Sequence, residues 1–346
     1  MSFKHNMLSV IIPTRNRHIL LQATLKSLKK QTLPRSEFEV LVIDNGSTDN
    51  TKQVVESAQQ RLGNVRYFYE PTPGLHVGRH LGLKKAKSDI LVYADDDIEA
   101  FPTWLEAIAE SFQDPEVVLV GGKNLPKWES DPPDWILKMW EPDKNGNRIL
   151  GYLSILDLGD EEKEISPYYV FGCNFSVRKS VLLEAGGFHP DAFPQELIKY
   201  RGDGEGHVWQ YISERAYKAF YHPKASVYHA VPFSRHTEEY FFRRVINQGI
   251  SDSFSMIRRR HIVQVQEGNK NRWRLAFSRE LIPVELKNRI RSLIMILLFS
   301  VTESRQVVKR KILFDLYWLK GFLYHRQQVR KDIELFSYVT KNNFLD

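Results

Sequence analysis

Short apolar runs alternate with amphipathic stretches along the first hundred residues. Leu8 to Pro13, Glu39 to Ile43, Val65 to Tyr69 and Ile90 to Tyr93 have the length and character of buried strands. Between them, Ile19 to Lys30, Thr48 to Leu62 and Leu75 to Ala86 place apolar residues at roughly helical spacing. Pro102 predicts the opening of a further helix, because proline is favoured in a first helical turn. Alternation at this period predicts an α/β fold with a mostly parallel, helix-covered sheet. From Lys127 to Pro167 the periodicity is lost in a stretch rich in Pro, Trp, Asp and Gly, and a long irregular segment in a compact domain is expected to be functional or mobile. Order returns at Tyr168 to Val177 and in a helix near Lys179 to Ala185, and beyond Thr237 the pattern is almost wholly helical.

In sheets of this kind ligands bind beyond the carboxyl ends of the strands. Three polar clusters fall there and are expected to line one rim: Pro13-Thr14-Arg15-Asn16-Arg17, Asp44-Asn45-Gly46-Ser47-Thr48-Asp49 and Asp95-Asp96-Asp97. The acidic triplet concentrates charge that folding alone does not require, and a bound cation best relieves the repulsion. Hard oxygen ligands suit Mg2+ or Mn2+, ions usually shared with substrate phosphates. A solvated acidic loop tip is the plainer reading of the triplet by itself. Asp44, directly after a strand, can accept from a planar donor such as a pyrimidine or a ribose, while Ser47, Thr48 or Asp49 caps the next helix. In Gly74 to Gly82 the glycines allow close approach, and Arg79 offers a fixed charge to a phosphate or to the acidic rim.

Charge divides the chain. Residues 1–234 hold 27 Lys and Arg against 31 Asp and Glu, whereas residues 235–346 hold 22 against 11. We therefore expect two parts, 1–234 and a basic helical 235–346, the second suited to an anionic surface. An apolar share of 42% across 346 residues supports a substantial core and argues against disorder. The single cysteine, Cys173, excludes an internal disulfide framework and a cysteine-based zinc site, and fits a reducing compartment. Met1 to Met7 is polar and Leu8 to Ile12 only strand-length, so no secretory signal is expected and a cytoplasmic location is. The apolar run Leu293 to Val301 is too short to span a bilayer. It leaves two readings open: an interfacial anchor for peripheral contact with an anionic membrane, or burial against the catalytic part or a second subunit of a homo-oligomer.

Five segments taken in order resemble the inverting glycosyltransferases of family 2. They are Val10 to Arg17, Val42 to Asp49, Gly78 to Gly82, Tyr93 to Asp97 and Phe171 to Arg178, and the likeness runs over about residues 8–230. The resemblance implies a GT-A fold and a nucleotide-diphosphate sugar donor, UDP-linked by expectation, with a saccharide or glycolipid hydroxyl as acceptor. It further implies that Pro13, Thr14, Arg15 and Asp44 hold base and ribose, with Arg79 supporting the nucleotide. Asp95 and Asp97 match the outer carboxylates of the family's metal motif, Asp96 its nucleotide-facing middle position, and His229 a residue completing the Mn2+ or Mg2+ shell. Asn174 and Phe175 resemble the segment facing the transferred sugar, and Gly186-Gly187-Phe188 the turn before the acceptor side. The general base corresponds to Asp203, with Glu205 as the alternative, because Gly202 stands where the family carries Glu.

Other function classes fit less of the pattern. A sugar-nucleotide pyrophosphorylase would open with a Gly-rich, basic phosphate loop, which Pro13-Thr14-Arg15-Asn16 is not. A glycosidase built on paired carboxylates leaves the nucleotide-type rim unexplained. A non-catalytic polymer- or membrane-binding protein with a degenerate transferase core is supported by the basic last third and by Gly202. No nucleic-acid module accompanies that basicity. Trp128, Trp135 and Trp140 are suited either to stacking on sugar faces or to packing their loop down.

Overall fold

The computed structural model describes residues 8–266 and 305–345. In chain order the first elements are β1 (Leu8–Thr14), α1 (His18–Leu28), β2 (Phe38–Asp44), α2 (Thr51–Leu62), β3 (Val65–Tyr69), α3 (Leu75–Lys85) and β4 (Ile90–Ala94). Every residue of β1, β2 and β4 is buried, the signature of strands covered on both faces. Then come β5 (Ile98–Ala100), α4 (Trp104–Ser111), β6 (Val117–Gly121), β7 (Asn124–Trp128) and α5 (Asp134–Met139). They are followed by β8 (Arg148–Leu150), β9 (Ile155–Asp157), β10 (Lys163–Ile165), β11 (Asn174–Arg178), α6 (Lys179–Glu184), α7 (Gly206–Glu214), β12 (Lys218–Tyr221) and β13 (Val227–Val231). The helices α8 (Glu238–Gln266), α9 (Arg305–Lys331) and α10 (Ile333–Val339) complete the described chain.

Among the described residues the strands form two sheets. The larger has the order β10-β12-β6-β11-β4-β1-β2-β3. It is parallel from β4 through β1 and β2 to β3, and β11 runs antiparallel to both β4 and β6. The smaller has the order β5-β13-β7-β9-β8. Two of its strands, β8 and β9, lie in the stretch where the sequence shows no period, because three-residue strands are too short to display alternation. Two other boundaries move slightly. The α2 helix begins at Thr51, not Thr48, since Asp49 Oδ1 accepts from Thr51 N at 3.0 Å. The α4 helix begins at Trp104, which leaves Pro102 before the helix instead of in its first turn.

The described residues divide into two compact units, one from Met1–Ala192, Gly204–His236 and Asn343–Asp346, the other from Phe193–Asp203 and Thr237–Asn342. In the second unit α8 and α9 meet at two glycines: a Cβ on Gly249 would lie 2.1 Å from Trp318 O, and one on Gly321 2.0 Å from Ile246 O. The basicity of residues 235–346 is partly spent on packing inside this unit. Arg258 is buried and its Nη1 donates to Val339 O at 2.7 Å and to Lys341 O, and Arg310 pairs with Glu238 at 2.8 Å. The apolar run Leu293 to Val301 lies outside the described residues.

Helix α3 sits on β1 through Gly78 and Gly82, which are one turn apart on the same face. A Cβ on Gly82 would stand 2.3 Å from Ile11 Cγ2, and one on Gly78 3.3 Å from Pro13 Cβ. Alanine should stabilise an exposed helix by about 1 kcal/mol over glycine. Here Gly82→Ala is expected to destabilise the first unit by about 1–3 kcal/mol through overpacking against a fully buried strand, with Gly78→Ala milder. Urea denaturation of both variants checks this ordering; a Gly82→Ala protein as stable as the parent would contradict the packing argument.

Candidate active site

The polar strand ends meet as their positions predict. In the β1–β2 ladder Thr14 stands opposite Asp44, and Thr14 Oγ1 donates to Asp96 Oδ2 at 2.6 Å. Asp44 is buried and accepts from Ser47 N and from the Tyr67 hydroxyl, both at 2.8 Å. Pro13 is buried beneath α3, while Arg15 is exposed beside the rim. Two buried carboxylates, Asp44 and Asp96, thus flank the end of β1.

The three adjacent aspartates have different surroundings. Asp96 accepts from Thr14 and from Arg17 Nη1 at 2.6 Å; burial nevertheless pushes it up to about 7. Asp97 Oδ2 takes Arg17 Nη2 at 2.6 Å and Arg235 Nη2 at 3.1 Å. Burial opposes its charge, but His229, Arg17 and Arg235 outweigh burial and hold it well below the usual carboxylate range. Asp95 is half-buried; burial and the Asp97 carboxylate push it up, against the pull of Arg79. The positions of Asp95 and Asp97 follow from the sharp departure of the chain at the end of β4. His229 arrives from β13, whose antiparallel pairing with β5 sets it opposite Ile98, next in sequence to Asp97.

Asp95, Asp97 and His229 each offer a ligand atom, and these atoms lie within 4.8 Å of one another. Two details fit this donor set to a divalent cation. His229 Nδ1 lies 2.9 Å from the Leu153 carbonyl oxygen, which as acceptor requires a proton on Nδ1 and turns Nε2 towards the carboxylates. Asp97 Oδ1, 3.3 Å from Nε2, is buried and makes no well-directed hydrogen bond. A buried carboxylate–imidazole–carboxylate set of this kind suits a divalent cation such as Mn2+ or Mg2+.

Beside this group Arg79 is buried with three carboxylates around it. Its Nη1 is 3.3 Å from Glu205 Oε2 and 3.7 Å from Asp191 Oδ2, and its Nη2 is 4.0 Å from Asp95 Oδ1. Its guanidinium lies 4.9 Å from the centroid of the Phe188 ring. Of the two partners the sequence admitted for Arg79, the acidic rim is the one it meets. Gly172 leaves room for this pair: a Cβ there would come within 2.6 Å of Arg79 Nη2 and 2.8 Å of Glu205 Oε1.

The other sequence candidates lie as follows. Asn174 is buried, its Oδ1 accepting from Trp104 Nε1 and its Nδ2 donating to Ala225 O, both at 2.9 Å, so its carboxamide ties β11 to its neighbours. Phe175 is fully buried in the core with Tyr93 and Phe188. Asp203 belongs to the second unit, and its Oδ2 accepts from Ser255 Oγ at 2.5 Å. Trp140 is buried, and Trp128 is half-buried with its ring 5.5 Å from that of His236. Sequence reasoning missed Arg17, Arg235 and Asp191. Arg17 was within reach, being part of the first polar cluster, whereas Arg235 and Asp191 carry no local signal.

Residues 9–185 match the family model for glycosyl transferase family 2. The match contains the segments from Pro13 to Asn174 and stops short of Asp203, Glu205 and His229. Validoxylamine A glucosyltransferase of Streptomyces hygroscopicus subsp. limoneus is 37% identical over 111 residues, 32% of this chain and 24% of that protein. Glycosyltransferase AglE of Haloferax volcanii is 35% identical over 115 residues, 33% of this chain and 38% of that protein. The chain thus spans only a minor part of the length of these curated relatives. Among solved structures, the mannosyltransferase PcManGT from Pyrobaculum calidifontis, in complex with GDP-Man and Mn2+, aligns with a TM-score of 0.55 at 16% identity, covering 97% of this chain and 86% of that one. GalNAc-T7 with UDP, GalNAc and Mn2+ aligns with a TM-score of 0.51 at 20% identity, covering 65% and 43%. These two likenesses concern the fold alone. With half of its length under the family model and the same mixed sheet flanked by helices, the chain belongs to glycosyl transferase family 2 and has the GT-A fold.

Proposed function

We propose that the protein transfers a sugar, with inversion, from a nucleoside diphosphate sugar to a hydroxyl of a saccharide or glycolipid, and that it needs a divalent cation to do so. The observation that carries this reading is the Asp95–Asp97–His229 group, whose ligand atoms lie within 4.8 Å of one another and whose imidazole is oriented by the Leu153 carbonyl. When bound there, Mn2+ or Mg2+ would act as a Lewis acid that neutralises the departing diphosphate. The chain's own residues supply the rest. Asp44, braced by Ser47 and Tyr67, keeps lone pairs for a planar N–H or a ribose hydroxyl, and a uridine donor is our assignment. Thr14 and Arg17 fix Asp96, and Arg15 beside them is exposed to a ligand at the rim. Curated relatives support the acceptor class: one is named GalNAc(5)-diNAcBac-PP-undecaprenol beta-1,3-glucosyltransferase, from Campylobacter jejuni.

For the general base we propose Glu205, with Asp203 as the alternative. A base must reach the acceptor hydroxyl as an ionised, oriented group. Glu205 remains partly exposed, and Arg79 at 3.3 Å holds its carboxylate beside Asp95. The Asp203 carboxylate, by contrast, is engaged by Ser255.

A second property follows from α9. Leu316 and Leu323 are half-exposed and share one helical stripe with the exposed Lys309 and Lys320. We propose that this stripe gives peripheral contact with an anionic membrane, each basic residue near the surface contributing about 1 kcal/mol. No helix among the described residues is long and apolar enough to cross a membrane.

Three outcomes test these readings. Release of nucleoside diphosphate from a donor panel should require Mn2+ or Mg2+ and vanish in EDTA and in Asp97→Ala, and His229→Ala should weaken Mn2+ binding by about tenfold or more. Full turnover in EDTA would remove the metal from the mechanism. Glu205→Gln should lower transfer by about 10²–10⁴-fold while donor binding persists. If Asp203→Asn shows that loss and Glu205→Gln does not, the base is Asp203. Anionic vesicles should pellet the protein at low salt and release it at high salt, and Leu316→Glu with Leu323→Glu should abolish pelleting; failure of the parent to pellet at low salt would dispose of the membrane contact.

A further inference from the structure

After α10 the chain returns to the first unit, and Phe344 and Leu345 pack there. Phe344 is buried; its N–H donates to Gly186 O at 3.4 Å and its ring meets His189 edge to face at 5.2 Å. Leu345 packs on the core cluster that contains Tyr93, Phe175 and Phe188. Gly187, with φ +80°, makes room for both the tail and His80: a Cβ there would lie 2.5 Å from Leu345 Cδ2 and 2.6 Å from His80 Nε2.

His80 joins this segment to the acidic rim. The Phe344 carbonyl accepts a hydrogen bond from the ring, so the proton sits on Nδ1, and Nε2 accepts from Phe188 N at 2.9 Å. Burial keeps the imidazole neutral, lowering it to about 4. The Phe188 ring stacks at 6.3 Å on His80 and carries the Arg79 guanidinium 4.9 Å from its centroid. Arg79 is also the residue before His80 on α3. A continuous set of contacts therefore runs from Phe344 and Leu345 through His80 and Gly187 to Phe188, then to Arg79 and its three carboxylates. Residues 343–345 lie outside the family match at 9–185.

We propose that Phe344 and Leu345 are positioning residues: through His80 and Phe188 they hold Arg79 where it orders Asp95 and Glu205, although neither touches the rim. The proposal rests on the transferase reading for the catalytic role of that rim. Misplacing a group by about 1 Å in such a site costs on the order of 10²-fold in rate. Phe344→Ala and Leu345→Ala should each lower kcat by about 10–100-fold while the donor KM stays within about twofold, and Phe344→Leu, which keeps an apolar contact, should restore most of the loss. A second readout does not use activity. The Arg79 Nε–H resonance, assigned by its loss in Arg79→Lys, lies in the ring current of Phe188 and should shift in Phe344→Ala and, less, in Phe344→Leu. Folded variants with unchanged kcat and an unmoved Arg79 resonance would overturn the proposal. So would losses that merely track the folded fraction in thermal melts, or an unmoved resonance in Phe344→Leu and Leu345→Met should the alanine variants fail to fold. A parent chain inactive with every donor would count against the transferase reading instead, and the resonance would still decide whether the tail sets the position of Arg79.

Discussion

Charge balance around Arg79 governs the architecture of the catalytic unit. A guanidinium without water is costly to bury unless it is paired, and three close carboxylates are costly unless a cation stands among them. Each side of this arrangement makes the other tenable. Asp95 comes from the end of β4, Asp191 and Glu205 from segments flanking α7's start, and Arg79 from α3. Four stretches of chain are thereby fixed to one point. The glycines follow from the same constraint: Gly172 gives its space to the ion pair, and Gly78 and Gly82 bring α3 close enough to β1 for Arg79 to reach the rim.

A second balance operates one residue pair away. Arg17 spans Asp96 and Asp97, and Arg235 adds a further positive charge at Asp97, so the outer oxygen of Asp97 is neutralised by protein. The inner oxygen faces His229 Nε2 at 3.3 Å. Arg17 and Arg235 therefore cover one side of the triplet and His229 stands at the other, which lets the fold tolerate adjacent aspartates. Asp96, raised by burial yet bonded by Thr14 and Arg17, is the strut between these two sides.

How legible this was in the sequence depended on distance along the chain. The strands β1, β2 and β4 were readable because complete burial makes them mostly apolar runs, broken only by Ser9 and Glu39 before the strand ends, and the strand-end rule then gathered Thr14, Asp44 and Asp95–Asp97 at one rim. His229 and Glu205 came from the family resemblance, not from any periodicity. The partners Asp191 and Arg235 are 112 and 138 positions from the groups they neutralise, Arg79 and Asp97, and only the closed sheets bring them in. The irregular stretch after Lys127 hid β8, β9 and β10 because each is only three residues long. The basic last third read as a charged surface, yet Arg258 serves as an internal hydrogen-bond donor to the end of α10 and the residues after it, a use that net charge cannot reveal.

The return of Phe344 and Leu345 to the catalytic unit has a consequence for how the protein is made. Ribosomal synthesis proceeds at roughly 5–20 residues per second, and domains tend to fold as they emerge. The catalytic sheet has all its described strands once Val231 has been made, but the contacts of Gly187, His80 and Phe188 with the last segment must wait for about a hundred further residues. For a period on the order of ten seconds the nascent sheet carries an uncovered apolar patch at the very place where its buried arginine is held. The helical unit is thus translated while the first unit still lacks its last contacts.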